Sequence, residues 1–305
     1  MSPYPFFSVI IPTYNRAGFI VKTLESVLAQ TYTHFEIIII DNCSTDNTEE
    51  LLQPFIASGR VRFFKQDRNY ERAVSRNRGM SLATGDFVTL LDSDDLMYPS
   101  NLADAAAYAV AHPETKCFYN LSEFVNTEGR VVYRPPVPSL DDQWKSITRG
   151  NFMACIGDFI HREIYTRYTF DTRPSIIGGE DWDFWLRVLA DYKVGRIERV
   201  NSGIVQHGGR SVSNQDLVSL RAGHKMLAAK LENDPHLRAV YAPYLKRFRA
   251  AMFVYLAILA NSGAIYRTTL SYLRRAAAED WSVVASPQFL RVLQLALSGL
   301  AGSHR

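Results

Sequence analysis

Four consecutive isoleucines, Ile37 to Ile40, end abruptly at Asp41. A β-branched run with no polar member suits a strand covered on both faces, since neither set of its alternating side chains then has to meet water. Strands of that kind pair in parallel and are joined by helical crossovers, so the flanking sequence should alternate strand and helix. Phe7 to Ile11 is a short β-branched run closed by Pro12, and Ile20, Leu24, Val27 and Leu28 follow it at helical spacing. Beyond Asp41, Ser44, Thr45 and Asp46 offer capping oxygens for a helix carrying Leu51, Leu52, Phe55 and Ile56. Val61 to Phe64 resumes as strand, a helix is expected from about residue 71 to 83, and Phe87 to Leu91 is a further buried strand that stops at Asp92. This β-α-β-α-β-α-β order predicts an α/β fold with a mostly parallel central sheet and helices on both faces.

Ligands of such sheets gather beyond the carboxyl ends of the strands. Here those ends present Pro12, Thr13, Tyr14 and Asn15, then Asp41 and Asn42, then Asp92, Ser93, Asp94 and Asp95. Further along, a helix is expected over Asn101 to His112, with strands over Cys117 to Tyr119 and Val131 to Tyr133. Gly178 and Gly179 then lead into Glu180 and Asp181 at the head of a helix striped with Trp182, Trp185, Leu186 and Leu189. After Gly208 and Gly209 the pattern is helical, which divides the chain into an α/β domain over 1–215 and a helical C-terminal extension over 216–305.

Each polar cluster has a plain reading and a chemical one. Crowded carboxylates at Asp92, Asp94 and Asp95 repel one another unless a hard divalent cation, magnesium or manganese, neutralises them; the plain reading is an acidic turn capping the next helix. Asp41 is either a strand-end cap or an acceptor for a base or ribose, and Tyr14 either packs or offers a flat face to a nucleobase. Arg72, Arg76 and Arg78 with Asn77 are either a solvated helix face or a source of phosphate or base contacts. Acids in a first helical turn ordinarily act as caps, yet after two glycines Asp181, with Glu180 beside it, is free to point into a cleft as a general base. His207, set among glycines with Arg210, Ser211 and Ser213, suits a diphosphate and its metal.

Composition narrows the classes. The 34 Lys and Arg against 31 Asp and Glu leave +3, too little for an electrostatic nucleic-acid binder. From His236 onward nine basic residues face two acidic ones, so the tail is basic and the body mildly acidic. Stripes such as Tyr244, Phe248, Met252 and Tyr255 either pack on the catalytic domain or a second copy in a homodimer, or rest on an anionic membrane surface. Three widely spaced cysteines form neither a disulfide framework nor a zinc cluster, and the N-terminus does not read as a signal peptide. No run reaches the roughly 18 apolar residues of a span, so a cytoplasmic protein, with peripheral contact at the inner membrane face as its membrane option, is the expectation. Neither G-x-G-x-x-G, a P-loop nor G-x-S-x-G occurs.

Taken in order, VIIPTYNR, IIIIDNCSTDNT, RNRG, LLDSDD and GGEDWDFWLR resemble family 2 glycosyltransferases, inverting enzymes of the GT-A fold, over roughly residues 6–215. The resemblance implies a nucleotide-diphosphate sugar, a UDP-sugar by lean, held by Pro12, Thr13, Tyr14, Asn15, Asp41, Arg76, Asn77, Asp92, Ser93 and Arg210. It implies Mn2+ or Mg2+ at Asp94, Asp92 and His207, and Asp181 as base with Glu180 as its neighbour. The acceptor would be a glycan or lipid-linked hydroxyl in surface polysaccharide or glycolipid assembly. A catalytically silent sugar-nucleotide-binding partner subunit is the alternative, opposed by the intact Asp92, Asp94 and Asp181. A nucleotidyltransferase is opposed by the lack of a Gly-rich basic loop after the first strand.

Overall fold

The parallel half of the sheet follows from the hydrophobic runs. In the computed structural model, which describes residues 4–153, 155–176, 178–209 and 217–302, strands β1 (Phe7–Thr13), β2 (Phe35–Asp41), β3 (Arg62–Lys65) and β4 (Phe87–Leu90) lie in the order β3-β2-β1-β4, all parallel. The crossovers are α1 (Ile20–Leu28), α2 (Thr48–Ala57) and α3 (Arg72–Leu82). Ile37 to Ile40 are buried throughout, as a doubly covered strand requires. Register pairs Thr13 with Asp41 and Ile10 with both Ile38 and Leu90, so the three polar strand ends share one rim.

Helix α3 lies close on β1. A Cβ at Gly79 would meet Ile10 Cγ2 at 2.3 Å, so the glycine of RNRG sets the helix-to-sheet distance. That approach lowers the buried face of α3, including Arg76, onto the sheet.

The rest of the chain adds β5 (Leu96–Met97), α4 (Asn101–Ala111), β6 (Cys117–Val125), β7 (Val131–Tyr133), α5 (Gln143–Ile147), β8 (Asp158–His161), α6 (Arg162–Tyr165), α7 (Glu180–Asp191) and β9 (Val194–Val205). The sheet continues β4-β8-β6-β9-β5, with β7 beside β6. In this half β8 runs antiparallel to β4 and β6, and β9 runs parallel to β6 but antiparallel to β5. Sequence patterning does not reveal β5, β8 or β9. In β9, Arg196, Glu198, Arg199 and Asn201 break the alternation, and two register shifts against β6 accompany the break.

Two units emerge from the packing. The first takes Met1–Leu140, Met153–Thr172 and Glu180–Arg210; the second takes Asp141–Phe152, Arg173–Gly179 and Ser211–Arg305. Two short inner segments therefore belong with the helical tail. That unit comprises α5 with α8 (Leu217–Asn233), α9 (Pro235–Tyr241), α10 (Leu245–Ser262), α11 (Tyr266–Glu279) and α12 (Pro287–Gly302). Its core joins Leu220, Val254, Ala257, Leu273, Phe289 and Val292. Phe248 and Met252 of the aromatic stripe are buried, and Tyr255 lies beside His224. Among the described residues no helix is long and apolar enough to cross a membrane. All three cysteines are free.

Candidate functional site

The rim of the first unit is one connected polar network. Asp41, fully buried at the end of β2, accepts hydrogen bonds from the backbone N–H and hydroxyl of Ser44. Ser44 Oγ in turn accepts the backbone N–H of Asn15 at 2.9 Å. Asn15 takes a left-handed φ of 50°, which Asn tolerates better than most residues, and its side-chain oxygen accepts Thr45 N–H at 2.8 Å. Asp41 thus has the capping role open to a strand-end Asp, and it ties β2 to the first strand end.

The next residue carries the network onward. Arg16 Nε lies 3.2 Å from Asp94 Oδ2, and its Nη2 donates to the Gly209 carbonyl at 3.3 Å. The same Asp94 oxygen lies 3.0 Å from His207 Nε2, and the His207 ring stacks on Phe19 with centroids 4.2 Å apart. Gly209 N–H donates to His207 Nδ1 at 3.2 Å. In the neutral ring the proton therefore sits on Nε2 and points at Asp94. Binding a metal through Nε2 would move that proton to Nδ1 and displace the Gly209 contact.

The acidic turn fits a hard divalent cation. One carboxylate oxygen each from Asp92, Asp94 and Asp95 lie within 4.8 Å of one another, a donor set suited to magnesium or manganese. Asp95 also accepts the backbone N–H of Val205 at 2.9 Å, which locks the turn to β9. Asp92 and Asp94 remain the more accessible donors, and Ser93 is buried between them.

Arg76 closes the arrangement. It is the one large cation of α3 that faces inward: its side chain is only 2% exposed and lies over the Phe170 ring at 5.5 Å. Its Nη1 donates to Asp181, its Nη2 donates to Asp92 at 3.2 Å, and Glu180 lies 3.5 Å away. Arg72, one turn earlier, pairs with Glu180 at 3.1 Å. A guanidinium can serve several carboxylates at once because its donors fan out in a plane. Burial drives the Asp181 carboxyl up, Arg76 pulls it down, and Glu180 pushes it up again; the balance stands at about 6. The Asp181 side chain nevertheless keeps 29% of its surface open, so it can meet a ligand.

Several expected residues sit differently from a ligand-binding role. Arg76 is engaged by carboxylates rather than facing outward for a phosphate, and Asn77 uses its amide to clasp the Phe170 backbone at 2.9 and 2.8 Å. Gly178 has a φ of 81°, and a Cβ on Gly179 would come within 2.9 Å of Leu227, so the glycine pair answers to turn geometry and packing. Tyr14 is 39% exposed, and Pro12 lies opposite Ile40 in β1. Thr13 Oγ1 is buried with no hydrogen-bond partner among the described residues. Arg210 lies outside the described residues.

The sequence alone gives no sign of Arg16, Asp158 or Phe19 as participants, and it places Asn42 on the rim without a partner. Arg16 stands in the first motif, but nothing in its neighbours points to Asp94. Asn42 accepts Gln66 Nε2 at 2.8 Å and Tyr70 N–H at 2.9 Å, pinning the loop before α3. Asp158 in β8 is buried among Arg76, Asp181 and Trp185, and burial raises its carboxyl well above the usual range. Phe19 supports His207. All four depend on contacts between distant segments.

Comparison with known proteins agrees with this architecture. The family described as Glycosyl transferase family 2 matches residues 8–168. A putative teichuronic acid biosynthesis glycosyltransferase, TuaG, of Bacillus subtilis is 30% identical over 192 residues, 61% of this chain and 72% of that one. Two longer curated relatives are matched over only 41% and 42% of their length. Among solved structures, S. aureus TarS 1-349 in complex with UDP-GlcNAc superposes with a TM-score of 0.64 at 18% identity, covering 96% of this chain and 92% of that one. The mannosyltransferase PcManGT from Pyrobaculum calidifontis, in complex with GDP-Man and Mn2+, gives 0.63 at 17% identity, covering 98% and 86%. At that identity the two structures speak for the GT-A-like fold.

Proposed function

Because the chain belongs to glycosyl transferase family 2, we propose that it moves a sugar from a nucleoside-diphosphate donor, preferentially a UDP-sugar, to an acceptor hydroxyl with inversion. Asp181 takes the proton of the acceptor hydroxyl as that oxygen attacks the anomeric carbon. The bond from that carbon to the donor phosphate oxygen breaks, and its electron pair leaves with the nucleoside diphosphate. Glu180 stays paired with Arg72 and Arg76, which leaves Asp181 as the more open of the two carboxylates.

The rim serves the donor. Thr13 has a hydroxyl at the end of β1 with no partner among the described residues, Tyr14 is exposed beside it, and Asp41 holds the adjoining turn. Asp92 and Asp94, with His207, would hold Mn2+ or Mg2+, which when bound supplies charge neutralisation for the diphosphate. Arg16 adds the protein's own cation beside Asp94. Arg210 extends this role on sequence grounds alone. The acceptor is a glycan or lipid-linked hydroxyl of a surface polysaccharide pathway, a reading supported by the names of the bacterial relatives.

The observation that carries the proposal is Arg76, a single guanidinium joining the base candidate Asp181 to Asp92 of the acidic turn. Thermal-shift measurements with UDP- and GDP-sugars, each with and without manganese, test it. Stabilisation by one nucleotide sugar that needs the metal and is lost in Asp94→Ala is expected. The reading fails if no nucleotide sugar stabilises the protein in any metal condition.

A further inference from the structure

The helical unit carries a polar cavity of about 620 Å³, within the range of about 300–1,000 Å³ typical of small-molecule sites. It lies between α5, the start of α10, and the turn after α11. Trp281 lines it and is 75% exposed, whereas Trp182 and Trp185 of the first unit are buried. An exposed aromatic ring alone is unremarkable, so the argument rests on what surrounds it.

The carboxylates of the cavity are already engaged. Asp142 accepts the Lys145 backbone N–H at 2.9 Å and the Tyr244 hydroxyl at 2.8 Å. Asp280 accepts Ser282 N–H at 2.9 Å and pairs with Arg247 at 3.2 Å, and Glu279 reaches Arg249 at 3.6 Å. Lys145 and Lys246 also line the cavity, and neither ammonium group has an ion pair or hydrogen bond among the described residues. The lining therefore combines a flat aromatic face, carboxylates with spare lone pairs, and two lysines that no carboxylate pairs with, in a wall whose three cations equal its three carboxylates in number.

We propose that this cavity is a binding site for an acidic saccharide, with a sugar ring stacked on Trp281 and its carboxylate or phosphate group held by Lys145 and Lys246. Sugar hydroxyls both donate and accept, which matches carboxylates and cations placed side by side. Three carboxylates in the wall disfavour a polyanion, because a phosphate-rich chain would meet like charge. The site belongs to the helical unit and stands whether or not chemistry proceeds at Asp181.

The test is calorimetric titration of the full chain with a tetrasaccharide containing glucuronic acid, a phosphorylated oligosaccharide, a neutral oligosaccharide of equal length, and UDP. Saturable binding of at least one acidic oligosaccharide, at least tenfold tighter than the neutral one, is expected. The two acidic ligands distinguish carboxylate from phosphate as the recognised group. Trp281→Ala should weaken binding at least tenfold. The double variant Lys145→Ser and Lys246→Ser should erase the preference for charge and flatten the salt dependence. Asp181→Asn should leave binding unchanged, which separates this site from the reaction centre. The proposal is overturned by absence of saturable acidic-saccharide binding, by binding indifferent to Trp281→Ala, or by UDP binding that Trp281→Ala abolishes. It is equally overturned if vesicles of anionic lipid, but no oligosaccharide, bind in a Trp281-dependent way.

Discussion

Arg76 and Asp181, 105 residues apart in sequence, form the ion pair on which the site turns. The guanidinium is buried and reaches Asp92 with its other terminal nitrogen. Without the cation, burial and the neighbouring Glu180 would push the Asp181 carboxyl higher; with it, the group rests at about 6. A general base works best with a pKa near the working pH, so the pair tunes as well as positions Asp181.

Arg76→Lys should therefore damage transfer more than donor binding. An ammonium is a point charge on a flexible stem and cannot span two carboxylates as a planar fork does. A loss of at least tenfold in kcat is expected, with the acid limb of the pH–rate profile moved to higher pH because less positive charge faces Asp181. Arg76→Met should also destabilise the fold, by less than the about 3–5 kcal/mol of a fully buried broken pair, since Asp92 and Asp181 keep 35% and 29% of their side chains open. Steady-state kinetics across pH and a urea titration separate the two effects.

The pH dependence has a definite sign. Asp181 must be ionised to accept a proton, and its pKa is raised to about 6. Below about pH 6, kcat/KM should fall tenfold per pH unit, and above it the profile should be flat until another group titrates. Asp181→Asn should remove this limb and lower turnover by about 10²–10⁴ at neutral pH while donor-induced stabilisation persists. An unchanged acid limb in the variant would assign the base elsewhere, with Glu180 next.

The parallel half of the fold is legible because Ile37 to Ile40 is a continuous apolar run, Phe7 to Ile11 and Phe87 to Leu91 are broken only by Ser8 and Thr89, and each leads to the rim. The antiparallel half is not, because β8 is four residues long and β9 carries Arg196, Glu198 and Arg199 along an irregular pairing. The same divide runs through the site. Asp41, Asp92, Asp94 and Asp181 announce themselves as acids at strand or helix ends, whereas the direction in which Arg76 points is decided by Gly79, which lets α3 settle on Ile10. A basic helix stretch looks the same in sequence whether its middle member faces solvent or core. Likewise Asp158 becomes chemically distinctive only when β8 places it beside Arg76 and Trp185.

Gly79→Ala tests the closeness of α3 and β1. The added methyl would fall 2.3 Å from Ile10 Cγ2, with the strand backbone behind it and little freedom to yield. Overpacking of this kind costs about 1–3 kcal/mol, against about 1 kcal/mol gained in helix propensity, and a 2.3 Å approach to a strand residue puts the cost above the gain. The urea midpoint should drop with little change in slope, and Ile10→Ala in the same chain should recover part of the penalty attributable to the clash.

Asp158→Asn should stabilise the protein at neutral pH. The carboxyl is buried, one of its oxygens lacks a partner among the described residues, and burial with nearby Asp181 raises its pKa well above 3.8, against the opposing pull of Trp185 and Arg76. A group whose folded pKa lies above its unfolded value favours folding fully below the unfolded pKa. That contribution is lost as pH climbs towards the folded value, because unfolding releases the proton that the fold retains. An amide keeps the shape without the ionisation. The variant should thus match the parent near pH 4 and gain on it as pH rises, by about 1 kcal/mol or more at pH 8, roughly 2 °C in melting temperature for a chain of this size. Melting curves of both proteins from pH 4 to 8 check this, and a constant difference across that range would mean that Asp158 is ionised in the folded protein.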